Sequence, residues 1–127
     1  VRRGGSDSVI FYGSATDNEL AGLYKNAALL VQPSLEEGFS LSPLEALSFG
    51  CPVAVSDIPV HHEILKNSAV YFNPNDVANI TSVLTKTLTD SNLRLRTQQA
   101  ASALLGLYSW NAHAQETLDL YATAQKV

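Results

Sequence analysis

The chain has 127 residues, 46% of them hydrophobic and 16% charged, with a formal net charge of −4. This is the length of one domain with enough apolar content to bury roughly two-thirds of its unfolded surface. The acidic balance argues against a binder of nucleic acid, and no apolar run approaches the ~20 residues of a membrane helix.

The single cysteine, Cys51, excludes an internal disulfide and fits a reducing compartment. Arg2 and Arg3 lead into glycines, serine and aspartate rather than an apolar leader segment, so a cytoplasmic domain is expected. In chain order, residues 8–12 (SVIFY) predict a short strand ending at Gly13. Residues 17–27 set Leu20, Leu23, Tyr24 and Ala27 at helical spacing behind Asp17 as N-cap. Residues 28–32 (ALLVQ) predict a strand stopped by Pro33. Residues 43–49 predict a short helix stopped by Gly50, and residues 52–56 (PVAVS) another strand. A helical turn at 60–65 leads to a strand at 69–72 (AVYF), broken by NPND.

From Asp76 the pattern becomes helical. Val77, Ile80, Val83, Leu84 and Leu88 form one stripe; Leu93, Ala100, Leu104 and Leu107 a second; Trp110, Ala114, Leu118 and Tyr121 a third. Short apolar strands alternating with helices imply a parallel sheet covered on both faces. The expected fold is a Rossmann-like α/β unit, a single domain over residues 1–127 with a helical C-terminal tail. Its four predicted strands leave one edge open, as in a unit incomplete at its front.

The stretch EEGFSLSPLEALSFGCPV, residues 36–53, supports two readings. In the plain one, Ser42, Pro43 and Glu45 occupy N-cap, N1 and N3 of a capping box. In the other, the predicted strand 28–32 delivers its carboxyl end into this segment, where open α/β sheets bind ligands. The free N–H groups of the helix start suit a phosphate, and Gly38 lets the backbone approach it. Glu37 and Glu45, with seven residues between them, then accept hydrogen bonds from sugar and ribose hydroxyls. Such bonds to a charged group contribute roughly 1.5–3 kcal/mol each. The combination suits a nucleotide sugar. No Lys or Arg occurs between Asn26 and Leu65, so cations for a diphosphate must come from elsewhere.

Asp57, His61, His62 and Glu63 invite a metal reading, but neighbours on a helix do not face one another, and no metal is expected there. Cys51 reads as a small buried filler, Glu36 as a solvated carboxylate and His113 as a surface or packing residue. The stripe beginning at Trp110 reads as core.

The run Glu37-Gly38-Phe39-Ser40-Leu41-Ser42-Pro43-Leu44-Glu45-Ala46, followed by Gly50-Cys51-Pro52-Val53, resembles the E-x7-E signature of the retaining GT4 glycosyltransferases, which have the two-domain GT-B fold. VIFYG at 9–13, DNEL at 17–20, Pro33-Ser34, VAVSDIPVHHEIL at 53–65, AVYFNPND at 69–76 and Tyr108-Ser109-Trp110 agree in order. The resemblance implies that Glu37 is the catalytic carboxylate beside the reacting carbon of the donor sugar. It places the amides of Gly38, Phe39, Ser40 and Leu41 on the sugar and distal phosphate, Glu45 on the ribose, and Ser14 and Ala15 near the base. It implies no cofactor and no protein-bound metal. The donor would be a nucleotide-diphosphate sugar, GDP-mannose or a UDP-sugar, and the acceptor a hydroxyl in polysaccharide or glycoconjugate synthesis.

Ser40 departs from the glycine commonest at its position. The family's N-terminal acceptor domain and upstream phosphate-binding Arg and Lys have no counterpart here. The chain is therefore expected to be the donor-binding part of a larger enzyme, inactive alone, with the helix at 109–127 crossing to the missing N-terminal domain. Its exposed face would permit self-association. The expected location is cytoplasmic, peripheral at the inner membrane if the acceptor is lipid-linked. Two alternatives remain open: a carbohydrate hydrolase using Glu37 and Glu45, and a non-catalytic module that binds nucleotide sugars or self-associates.

Overall fold

Three short apolar strands form the centre of the molecule, seen in a computed structural model that describes residues 8–124 and the backbone of residues 2–3. Readings made on residues 1, 4–7 and 125–127, including the leader segment and the end of the tail helix, lie outside the described residues. In chain order the elements are β1 (Arg2–Arg3), β2 (Ile10–Phe11), α1 (Asp17–Asn26), β3 (Leu30–Gln32), α2 (Leu41–Ser48) and β4 (Val53–Ser56). They continue with α3 (Pro59–Leu65), a 3-10 turn (Lys66–Ser68), β5 (Val70–Phe72), α4 (Val77–Thr89), α5 (Ser91–Leu105) and α6 (Trp110–Ala124).

The sheet is parallel in the order β3-β4-β5, with Val31 opposite Ala54 and Val55 opposite Tyr71. All four residues of β4 are buried, which is why this strand reads as an unbroken apolar run. Around it, Tyr24, Leu44, Leu47, Ile64, Leu65 and Leu104 bring α1, α2, α3 and α5 into one core. Cys51 is buried within the same core, as expected of a small filler, and burial raises its thiol pKa.

The four-strand expectation is corrected. Among the described residues β2 pairs only with β1, antiparallel, in a separate two-stranded ribbon. Val9, Ile10, Phe11 and Tyr12 are all exposed, so no packing draws this segment onto the parallel sheet. The N-cap of α1 is Thr16 rather than Asp17. Thr16 and Glu19 form the reciprocal capping box, with the Thr16 N–H donating to the Glu19 carboxylate at 2.9 Å.

The core reading of the third helical stripe is corrected, whereas the exposed face implied by the resemblance is what is found. α6 forms where the spacing predicts it, but none of its residues is buried, and Trp110 is 77% exposed. Helical period reveals that a face wants a partner; it does not supply one. His113 is exposed and meets the Trp110 ring edge-on. No helix among the described residues is long and apolar enough to cross a membrane.

Candidate functional site

The segment joining β3 to α2 does not form the capping box that its residues predict. The helix starts at Leu41, and its N-cap is Ser40, in the left-handed region at φ 70, ψ 63. Counted from there, Pro43 is N3 and has no N–H to give, and Glu45 lies a further two positions along. Among the described residues no side chain caps this helix, and the Ser42 hydroxyl lies instead beside the Tyr24 phenol. The local reason is that Ser40 turns its own hydroxyl inward, where it is buried. The start of α2 therefore presents backbone N–H groups without a side-chain acceptor, the arrangement that receives anions.

Gly38 is not left-handed; Ser40 makes the left-handed turn before the helix. A methyl group added at Gly38 would meet nothing within 4 Å. The surface over Gly38 is thus open, and the fold itself does not require glycine there.

Glu37 stands just beyond the carboxyl end of β3, bonded to the last residue of that strand. Its Oε1 accepts from Gln32 Nε2 at 2.6 Å and from Ser34 Oγ at 2.7 Å. Donation from Ser34 chiefly, and then from Gln32, holds the Glu37 carboxyl below the ordinary glutamate pKa, against a partial opposing effect of burial. Both bonds fall on one oxygen, which leaves Oε2 as an open acceptor among the described residues, on a half-exposed side chain. Behind Glu37, Gln32 Nε2 also reaches Ser40 Oγ at 3.3 Å, and Ser40 Oγ lies 2.9 Å from His61 Nε2.

Glu45 is exposed on α2 and accepts from the Tyr24 hydroxyl at 3.2 Å through Oε2. Tyr24 is buried and stacks on Phe49, so α1 fixes the side of α2 from which Glu45 projects. Phe39 is exposed and meets Tyr108 edge-on, with ring centroids 5.8 Å apart. Tyr108 in turn donates to the Ile64 carbonyl at 3.2 Å, which ties the chain after α5 to α3, while its ring meets the segment before α2 through Phe39. Leu41 is exposed at the helix start. Glu36 faces solvent, as expected. Ser14 and Ala15 lie on the loop between β2 and α1, and the structure does not bring them into the hydrogen-bonded group around Glu37.

The residues that sequence reasoning missed are Gln32, Ser34 and above all His61, which is completely buried. The signal was present: His61, Ile64 and Leu65 share the buried face of α3 at helical spacing. A polar ring on such a face must have partners. His62 points away from it, stacked on Tyr71 at 4.0 Å and bonded to Asp57. The two histidines diverge, as adjacency on a helix requires. Burial first, and the charge of Asp57 second, push the Tyr71 hydroxyl up to about 12.

Compared with known proteins, residues 2–103 match the family model described as glycosyl transferases group 1. The chain is 51% identical over 70 residues to the O-antigen chain mannosyltransferase RfbU of Salmonella typhimurium, covering 55% of this chain and 20% of that protein. It is 39% identical over 102 residues to the serotype-specific mannosyltransferase WbdA of Escherichia coli, 80% of this chain and 12% of that one. Among solved structures, sucrose-phosphate synthase from Thermosynechococcus elongatus superposes with a TM-score of 0.78 at 25% identity, over 94% of this chain and 31% of its own. The chain thus spans a third or less of each of these proteins. The parallel sheet with flanking helices and a helical end is GT-B-like.

Proposed function

Because the chain belongs to the group 1 glycosyltransferases, we propose that it is the donor-binding part of a retaining enzyme that transfers mannose from a nucleotide-diphosphate sugar, GDP-mannose, to an acceptor hydroxyl of a growing polysaccharide. The observation that carries this reading is the placing of Glu37. It is an ionised carboxylate with one oxygen left open among the described residues, just beyond the carboxyl end of β3 and shortly before a helix start that no described side chain caps. Mannose as the sugar rests on the printed names of the relatives.

In this reading Glu37 Oε2 accepts from donor-sugar hydroxyls beside the reacting carbon. The first N–H groups of α2 and the backbone over open Gly38 receive the sugar and the distal phosphate. Glu45 accepts from the ribose hydroxyls, and the loop with Ser14 and Ala15 lies toward the base. As the bond from the anomeric carbon to the diphosphate breaks, negative charge grows on the leaving oxygen, where aligned N–H donors lower the barrier. No Lys or Arg lies between Asn26 and Leu65. The remaining charge compensation, and the acceptor site, therefore belong to other parts of the whole enzyme, and this chain alone is inactive. No metal or cofactor takes part. Where the acceptor is lipid-linked, the enzyme works at the cytoplasmic membrane surface.

A hydrolase acid needs a carboxyl kept protonated near neutral pH. Glu37 is held the other way, below its ordinary range.

The test is calorimetric titration of GDP-mannose and a UDP-sugar into this chain and into a version joined to the upstream half of the donor domain. Weak nucleotide-selective binding here, tighter in the longer protein and lost in Glu45→Gln, is the expected result. No binding by the longer protein would refute the reading.

A further inference from the structure

We propose that His61 is a positioning residue for the site: through Ser40 and Gln32 it braces the Glu37 carboxylate and the left-handed turn that opens α2. This deepens the reading of Glu37 given above and rests on it for its functional consequence.

The direction of each hydrogen bond follows from what each atom can do. His61 Nδ1 lies 2.8 Å from the Ser56 backbone oxygen, which only accepts, so Nδ1 carries the proton. In the neutral ring Nε2 is then an acceptor, and the Ser40 hydroxyl, 2.9 Å away, must donate to it. The Ser40 oxygen keeps lone pairs for Gln32 Nε2 at 3.3 Å, and the same amide gives its other proton to Glu37 Oε1 at 2.6 Å. The amide nitrogen, not its oxygen, must face Glu37, because a carboxylate cannot donate. The Ser56 hydroxyl donates to the Gln32 carbonyl at 3.3 Å, tying together the two strand ends that anchor the chain.

Each donor in this run has one acceptor, and the run leads from a fully buried ring to a half-exposed carboxylate. It also accounts for a serine at a left-handed position. The side chain whose Cβ makes the backbone conformation costly carries the hydroxyl that His61 holds. A serine here does what glycine cannot: it joins α3 to the loop. A ring that merely filled space beside Ile64 and Leu65 would not impose this order on Ser40, Gln32 and Glu37.

The experiment is NMR of the labelled chain: the nitrogen shifts of the His61 ring, and the acid titration of the Glu37 carboxyl carbon. Wild type is compared with Ser40→Ala and with His61→Asn, whose shorter amide still reaches the Ser56 carbonyl but not Ser40. The expected result is an Nδ1–H tautomer at neutral pH, and a Glu37 midpoint that rises toward the ordinary value in both variants. GDP-mannose binding by the same variants should weaken about tenfold, the equivalent of one such bond. An Nε2–H tautomer would overturn the brace, as would an unmoved Glu37 midpoint in folded Ser40→Ala. Should His61→Asn fail to fold, Ser40→Ala alone decides. If wild type binds no nucleotide sugar even with its upstream half restored, the functional reading fails, while the Glu37 titration still judges the brace.

Discussion

Ser40 offers a direct measurement of two opposing energies at one position. Its hydroxyl is bonded to buried His61, and its backbone sits at φ 70, where a side chain is strained. Ser40→Ala removes the hydroxyl and keeps the strain. It leaves a buried histidine nitrogen without its partner, which costs about 1–3 kcal/mol. Ser40→Gly removes the hydroxyl as well but relieves the left-handed conformation, worth about 1 kcal/mol. The glycine variant should therefore fall between wild type and the alanine variant, about 1 kcal/mol above the latter.

Urea unfolding followed by circular dichroism resolves this. With a slope of about 1–3 kcal/mol per molar, the two midpoints should differ by roughly 0.3–1 M, with the slope itself unchanged. Equal midpoints for the two variants would refute the left-handed assignment. A Ser40→Ala protein as stable as wild type would refute the buried hydrogen bond.

Two further outcomes follow from the same geometry. Gly38→Ala should leave stability within about 0.5 kcal/mol of wild type in the same urea assay, since its methyl meets nothing within 4 Å; calorimetry should nevertheless show weakened donor binding, because the methyl occupies the surface the donor approaches. Glu37 has a folded pKa below the ordinary glutamate value of 4.5, so its hydrogen bonds stabilise the fold fully above that pH and are lost as pH falls through the depressed value. Acid unfolding of Glu37→Gln should accordingly be less steep than that of wild type in the range below 4.5, and an identical acid profile would count against the Ser34 and Gln32 bonds.

Periodicity and composition determined the element order, the parallel character of the sheet and the position of the carboxylates at a strand-to-helix crossing. These are local consequences. An unbroken apolar run such as PVAVS can be satisfied only by burial on both faces, and Pro33 and Gly50 punctuate the chain wherever they occur. The resemblance of residues 37–53 added the family, which the match over residues 2–103 shows. What the sequence could not settle was which acceptor each polar group meets.

Ser42, Pro43 and Glu45 have the spacing of a capping box, yet Ser40 is drawn inward by His61, 21 positions along the chain, and the helix begins two residues earlier. Nor does the spacing of Trp110, Leu118 and Tyr121 distinguish a covered face from the exposed one observed. Likewise SVIFY looks like a sheet strand but forms a separate ribbon with residues 2–3, because strand pairing depends on which backbone comes within reach. Local pattern determined that these segments would be helix or strand and that Glu37 would stand near a helix start. Only the bonding of His61 on α3 to Ser56 at the end of β4 and to Ser40 decided that a buried histidine, a left-handed serine and a strand-end glutamine would hold that carboxylate, since hydrogen bonds between distant residues exist only once the chain has folded.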